Sequence, residues 1–242
     1  MSSASSVSHE IAAVLRTEIL RQQYRTGERL PSERDLSARF NASRGAVREA
    51  LSQLGQQGII QIQPGGARVQ PREAATLAIL GPLLALDPVP DPELVDQFLE
   101  IFGVLSALTA RRALQGATRE QMIQLKERLV LLAQQPGDFE AMEPHWRSLL
   151  DYLAQIDNNL VVRLIGNELK AQFMQRMLQL GIKPKLKASA GTEFVRTLKR
   201  AVTRQDGKLA SQAFETHFEH LRAAIRDAIL AQTPGDTRGS AS

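Results

Sequence analysis

Apolar residues recur every three or four positions along most of this chain, the spacing that places them on one face of an α-helix. Residues 7–20 show this spacing first. Two short strand-like stretches follow later, at 59–63 and 67–70, and they flank a Pro-Gly-Gly sequence at 64–66. That arrangement is typical of a β-hairpin. No strand pattern appears after residue 70, so the chain is predicted to be mostly α-helical.

Two serines stand where helices should begin between the first helix and the hairpin. Ser32 has Asp35 three residues on, and Ser43 precedes a segment with apolar residues at helical spacing. A serine at the N-cap satisfies a free backbone N–H of the first turn. Gly58 lies where the second helix should end, a position that favours glycine. Two short helices with a tight turn, followed by a hairpin, make a winged helix-turn-helix.

The second of these helices carries Arg44 and Arg48 four residues apart, so both lie on one face of its N-terminal end. Helix N-termini favour phosphate, and the first turns of a recognition helix reach base edges in the major groove. Arginine also pairs with guanine through two hydrogen bonds. The alternative is a solvated helix face. This alternative is disfavoured because the helix caps, the turn and the hairpin all indicate a winged helix-turn-helix, in which this helix face meets DNA.

The helical spacing resumes after residue 74 and continues almost to the end of the chain. It predicts seven segments, at residues 75–86, 93–115, 118–135, 139–156, 160–180, 188–205 and 208–231. The predicted fold is therefore mostly α: an N-terminal winged helix-turn-helix followed by an all-α bundle of six or seven helices. The predicted boundaries are a DNA-binding domain, a linker, a bundle domain and a disordered tail, at 1–72, 73–80, 81–232 and 233–242.

The positive charge of the chain is concentrated in the first of these domains. Residues 1–72 hold ten arginines, no lysine and six acidic residues, a net charge of +4 that equals the net charge of the whole chain. The remainder is neutral, so phosphate attraction is expected of the first domain alone. The chain has no cysteine, which excludes disulfides and thiolate metal sites.

The segment LPSERDLSARFNASRGAVREALSQLGQQGII resembles the N-terminal domain of the GntR family of bacterial transcription regulators. The resemblance covers about residues 8–70. It implies operator contacts from four polar side chains, Arg34, Ser43, Arg44 and Arg48. It also implies that Gly65 lies in the minor groove at the tip of the wing. Gly45 stands where the family commonly has threonine, so one hydroxyl contact with the operator is missing here.

The second domain resembles the FadR-like subfamily, whose C-terminal FCD domain binds an effector and dimerises. The resemblance rests on LSALTARRAL followed by ATREQMIQL, and on RTLKRAVTRQDGKLASQAFETHF. Many relatives hold a divalent metal there through one aspartate and three histidines. Those positions fall on Trp146, Leu150, Val195 and His217, and a one-residue shift gives His145 and Leu149 for the first two. One or two ligands do not make a tight site, so we expect no metal and no other cofactor.

Polar positions that would hold a small carboxylate in these relatives are mostly apolar in this chain. The predicted effector pocket consists of six residues, Phe102, Ser106, Trp146, Leu150, Val195 and His217. If they line a cavity, it suits a small molecule more apolar than a sugar acid, such as an acyl chain or an aromatic compound. The alternative is a closed cavity in a domain that only dimerises.

The resemblance as a whole implies a ligand-responsive, sequence-specific regulator, in the role of a repressor, that binds a palindromic double-stranded DNA operator as a homodimer. The alternative is a constitutive DNA-binding dimer without an effector. An enzyme is disfavoured because the bundle has no nucleophile–base, phosphate-loop or HExxH motif. We expect a bacterial cytoplasmic, nucleoid-associated protein without a membrane partner, because no segment approaches roughly 18 consecutive apolar residues and the N-terminus lacks signal-peptide features.

Overall fold

The structure is a computed structural model that describes three stretches of the chain, residues 2–134, 139–179 and 186–232. The chain divides into two compact units, Met1–Pro88 and Val89–Ser242. The tail predicted at 233–242 lies outside the described residues.

The first unit contains three helices followed by an antiparallel hairpin. Its elements are α1 (Ser2–Leu20), α2 (Glu33–Phe40), α3 (Arg44–Gln56), β1 (Ile60–Gln63) and β2 (Gly66–Val69). The hairpin pairs Ile60 with Val69 and Gln63 with Gly66. Leu15, Leu36 and Leu54 are fully buried in the shared core. The predicted winged helix-turn-helix is confirmed.

Both predicted serine caps are present in this unit. The side chain of Ser32 accepts a hydrogen bond from the backbone N–H of Asp35, and that of Ser43 accepts one from Ala46 at 3.2 Å. Asn41 separates the two helices in a left-handed conformation, with a φ of 47°. Local side-chain chemistry therefore fixes where α2 and α3 begin and where the chain turns between them.

A short extended segment before α2 adds to the hairpin, which the sequence pattern did not indicate. The Leu30 N–H donates to the Ala67 carbonyl at 2.9 Å, and the Val69 N–H donates to the Glu28 carbonyl at 2.9 Å. Such a short segment has too few residues for an alternating pattern to show. It covers one edge of the wing and so limits pairing with other chains.

Residues 72–86 differ from the predicted linker at 73–80 and from the helix predicted at 75–86. They form two 3₁₀ turns and a short helix, at Arg72–Ala74, Leu77–Ile79 and α4 (Leu80–Leu84). The Thr76 N–H donates to the Gln57 carbonyl at 2.9 Å, which diverts the backbone from a continuous helix. Ile79 is buried in the core of the first unit. This segment therefore belongs structurally to the first unit.

The second unit, over its described residues, is a bundle of six helices. They are α5 (Pro92–Gly116), α6 (Arg119–Leu132), α7 (Phe139–Asp157), α8 (Leu160–Gln179), α9 (Ala188–Arg204) and α10 (Gly207–Leu230). Helix α5 packs against α7, α8 and α10, and α9 packs against α6 and α10. The predicted all-α bundle is confirmed. Asp91, Thr118 and Asp206 each cap a helix by accepting a backbone N–H of its first turn.

Helices α5 and α10 approach closely because glycines lie at their contacts. A Cβ atom on Gly207 would lie 2.4 Å from the Arg111 carbonyl oxygen, and one on Gly103 would lie 2.9 Å from the Phe218 Cβ. A larger residue at either position requires the helices to separate. The pair is therefore held at a spacing that only these small residues allow.

Charged side chains connect the same two helices farther along. Asp96 of α5 accepts hydrogen bonds from Arg222 Nε at 3.0 Å and from Arg226 Nη2 at 2.8 Å, both on α10. The Arg222 hydrogen bond is the main reason that the pKa of Asp96 falls to about 2. The carboxylate therefore stays ionised in the folded protein well below neutral pH.

We expect Gly207→Ala to lower the free energy of unfolding by about 1–3 kcal/mol, the usual cost of overpacking a core contact. Gly116→Ala is the matched control, because a Cβ there meets no atom within 4 Å. Urea unfolding of the two variants measures the difference. Equal stability would contradict the close approach of α5 and α10.

Candidate nucleic-acid interface and bundle interior

The exposed face of α3 carries most of the predicted operator contacts. Ser43, Arg44 and Arg48 are exposed, whereas Val47 and Leu54 on the other side of the helix are fully buried. The burial of one face against α1 leaves the arginine face open to solvent. This is the arrangement that a recognition helix needs in order to enter a groove.

An ion pair from α2 holds one of these arginines. Arg48 Nε donates to a Glu33 carboxylate oxygen at 2.8 Å, and both side chains remain partly exposed. Only Nε of Arg48 pairs with Glu33, and the two terminal NH₂ groups of Arg48 have no hydrogen-bond partner among the described residues. Those groups can form the paired hydrogen bonds that guanine or phosphate accepts. The sequence pattern gives no sign of the role of Glu33, since its partner Arg48 lies fifteen residues away.

The remaining predicted contacts are also exposed. Arg34 extends into solvent, and its Nε lies 3.8 Å from a carboxylate oxygen of Asp35. Gly45 lies on the exposed side of α3. Gly65 turns the hairpin with a φ of 103°, a conformation that strains other residues. The wing thus presents its backbone at the tip, where a side chain would otherwise stand.

Five aromatic and imidazole rings fill the interior of the bundle. His217 lies 4.7 Å from Trp146 and 4.5 Å from Phe194 between ring centroids, and Phe194 lies 5.2 Å from Phe214. The Phe218 ring completes the cluster at 6.2 Å from Trp146. These separations are those of packed aromatic pairs. Two of the six predicted pocket residues, Trp146 and His217, therefore contact each other within packed rings.

His217 is held uncharged by this environment. The side chain is 5% exposed, and its Nδ1 has no hydrogen-bond partner among the described residues. Burial, assisted by the charge of His220, lowers the pKa of His217 to about 4. A neutral imidazole at neutral pH packs as an aromatic ring. Within the residues that the structure describes, no three His, Cys, Asp or Glu side chains cluster as a metal site would require.

A cavity of about 470 Å³ lies between α5, α7 and α8. Three predicted pocket residues, Phe102, Ser106 and Leu150, line it. The Ser106 hydroxyl donates to the Phe102 carbonyl at 2.8 Å, so it is already satisfied within the helix. Lys170 and Asp151 form an ion pair of 2.7 Å at the same cavity.

A second cavity, of about 420 Å³, lies between α6, α7 and α9 and includes Val195, the last of the six predicted pocket residues. The structure therefore divides these residues among two cavities and the ring cluster. The family resemblance predicts these residues together in one pocket, and helix packing separates them.

The burial of His217 predicts that stability falls with acidity. The unfolded chain takes up a proton below pH 6.5, whereas the folded chain does so only near pH 4. The contribution of His217 to stability is therefore constant above pH 6.5 and decreases as the pH falls from 6.5 to 4, by on the order of 3 kcal/mol. Urea unfolding across this range measures the loss. His217→Phe should flatten the profile, whereas His220→Gln, which removes only the smaller cause of the pKa shift, should change it much less. An unchanged profile in His217→Phe would contradict the assignment.

Comparison with known proteins places this geometry in a family. The model of the bacterial regulatory proteins of the gntR family matches residues 7–69. The HTH-type transcriptional repressor NanR of Enterobacter sp. (strain 638) is 37% identical over 123 residues, covering 50% of this chain and 46% of the relative. NanR of Escherichia coli O127:H6 is 34% identical over 165 residues, covering 66% of this chain and 61% of the relative. The chain thus spans about half to three fifths of the length of these relatives.

A solved structure described as "Lar controls the expression of the Listeria monocytogenes agr system and mediates virulence" shares the fold. It has a TM-score of 0.53 and 16% identity, covering 90% of this chain and 95% of that one. Among the described residues, the helices are too short or too polar to cross a membrane. The family model, the relatives and the observed geometry agree on one conclusion: residues 7–69 are a winged helix-turn-helix domain of the GntR family.

Proposed function

We propose that this protein is a transcription regulator, acting as a repressor, that binds a palindromic DNA operator as a homodimer. The observation that carries the proposal is the exposed N-terminal end of α3, with Arg44 and Arg48 four residues apart on a family DNA-binding domain. The repressor role has its support in the names of the relatives, which are HTH-type transcriptional repressors. Regulation by DNA binding, rather than an enzymatic activity, agrees with those names.

The charge distribution supports DNA as the partner of the first domain. Its ten arginines exceed its six acidic residues by the whole net charge of the chain. Such a local excess attracts the phosphate backbone and speeds association at low salt. Base contacts from α3 and the wing then distinguish one sequence from another.

The exposed apolar surface of the second unit supports a homodimer. Six large apolar residues on α5 and α8 are between 39% and 67% exposed: Ile101, Val104, Leu108, Leu160, Val161 and Leu164. Among the α8 residues whose side chains the structure describes, Leu169 alone is buried. A helix with apolar residues around its circumference is ordinarily covered. A second copy of the chain would cover these faces. The two recognition helices of such a dimer would be related by a two-fold axis.

The second unit would respond to a small-molecule effector more apolar than a sugar acid. Two cavities of about 470 and 420 Å³ fall in the size range of ligand sites. An effector acts by binding one arrangement of the dimer better than the other. The packed ring cluster favours the alternative, a constitutive dimer without an effector. The two differ in whether a bound small molecule changes operator affinity.

The dimer is tested with DNA selected by the full chain from a random-sequence pool. We expect a palindromic sequence and a dimer in analytical ultracentrifugation. Leu164→Arg should give a monomer and weaken operator binding at least tenfold, because half-site binding loses the second head. Ile123→Arg is the control, since Ile123 is an exposed apolar residue on α6. A monomeric wild-type chain with full operator affinity would contradict the proposal.

The recognition helix is tested by Arg48→Ala on the same selected DNA. We expect a loss of about 1–3 kcal/mol in operator affinity, the usual effect of removing an arginine that contacts a base. Arg147→Ala is the control, because it removes the same charge from an exposed ion pair with Glu143 in the second unit. Fluorescence anisotropy measures both. Equal effects of the two substitutions would contradict the assignment of α3.

A further inference from the structure

The cavity between α6, α7 and α9 has an apolar floor and a basic rim. Its floor is formed by Leu132, Ala133, Met142, Gly191 and Val195. Thr192 and three cationic residues, Arg196, Lys199 and Arg200, complete the lining. Apolar surface next to convergent charge is the usual composition of a small-molecule site.

Two of the three cations have no acidic partner among the residues that the structure describes. Arg196 forms an ion pair with Glu193, one turn earlier on α9. Lys199 and Arg200 contact no carboxylate in the part of the chain that the structure describes. Glu193 is also the only acidic residue in the sequence of α9, against four basic residues. Among the described residues, the positive charge of Lys199 and Arg200 at the mouth of the cavity is therefore not paired with a carboxylate, and an anion would neutralise it.

Gly191 keeps the floor of the cavity open. It lies within α9 and is buried, yet a Cβ atom at this position would meet no other atom within 4 Å. Glycine inside a helix is less favourable than alanine, and no close contact with the described residues requires it here. Gly191 lines the cavity together with Leu132 and Val195, and its missing side chain leaves the space beside it free.

We propose that this cavity binds an amphipathic organic anion, with an apolar body against the floor and a carboxylate or similar head group at Lys199 and Arg200. This assigns a location and a ligand class to the effector, and its regulatory meaning rests on the proposed function. Of the six residues predicted as the effector pocket, Val195 alone belongs to this site. The cations at the rim can bind the head group of an anion, which the apolar interior of the bundle cannot do.

The site lies next to the ring cluster along the chain. Phe194 precedes Val195 on α9, and its ring lies 5.2 Å from that of Trp146. Trp146 is the single tryptophan of the protein. Tryptophan fluorescence therefore provides a second reporter of binding, in addition to the heat of binding.

The test is isothermal titration calorimetry of the full chain with octanoate and with octan-1-ol, which share the alkyl chain and differ in charge. We expect octanoate to bind at least tenfold more tightly than octan-1-ol. Removing both cations, in Lys199→Gln with Arg200→Gln, should weaken octanoate binding at least tenfold and leave octan-1-ol binding unchanged. Gly191→Leu should abolish binding of both, because its side chain occupies the cavity.

Gly166→Leu is the matched control. Gly166 is also a helical glycine at which a Cβ meets no atom within 4 Å, and it lines the cavity between α5, α7 and α8 instead. We expect this variant to bind octanoate like the wild type. Circular dichroism and urea unfolding show whether each variant is folded.

Several results would overturn the inference: equal affinity for octanoate and octan-1-ol, normal binding by folded Gly191→Leu, or loss of binding only in Gly166→Leu. Operator binding without octanoate separates this inference from the proposed function. A chain that binds its operator but not octanoate retains the function and loses this site. A chain that binds octanoate but no DNA retains the site and loses the function.

Discussion

The close approach of α5 and α10 is the constraint on which the second unit depends. Gly207 and Gly103 leave room for the Arg111 carbonyl and the Phe218 ring, and a larger residue at either contact requires the helices to shift apart. With the helices at this distance, the ring of Phe218 reaches Phe102 at 5.7 Å. The glycine contacts therefore set how closely α5 and α10 pack, and α7 and α9 pack against that pair.

Because packed rings fill the interior of the bundle, a charged ligand is expected to bind at its edge and not at its centre. Rings pack around a neutral His217 whose Nδ1 has no partner in the described part of the chain, so the centre offers a ligand little charge and few hydrogen bonds. Charged groups are costly to bury without partners. Lys199 and Arg200 instead remain at the edge of a cavity whose floor is apolar. An amphipathic anion suits a cavity with cations at its edge and an apolar floor, because its head group stays near water while its apolar body is buried.

In the first unit, the packing of α3 leaves its arginines exposed, and a contact from α2 restrains one of them. Serine caps and a small buried core set the direction of α3, and the Glu33 carboxylate restrains Arg48 through its Nε. An arginine held in this way loses less conformational entropy when it binds DNA than one that is free. Exposure on α3 and restraint from α2 thus act together at the surface that would meet the operator.

The sequence by itself determined the features that depend on neighbouring residues. The caps at Ser32 and Ser43, the hairpin and the bounds of most helices were predicted, because each reflects interactions within a few positions along the chain. The tertiary structure alone decided the Glu33–Arg48 pair, the division of the predicted pocket and the basic rim on α9. These depend on how helices pack across many intervening residues, and local periodicity contains no information about that packing.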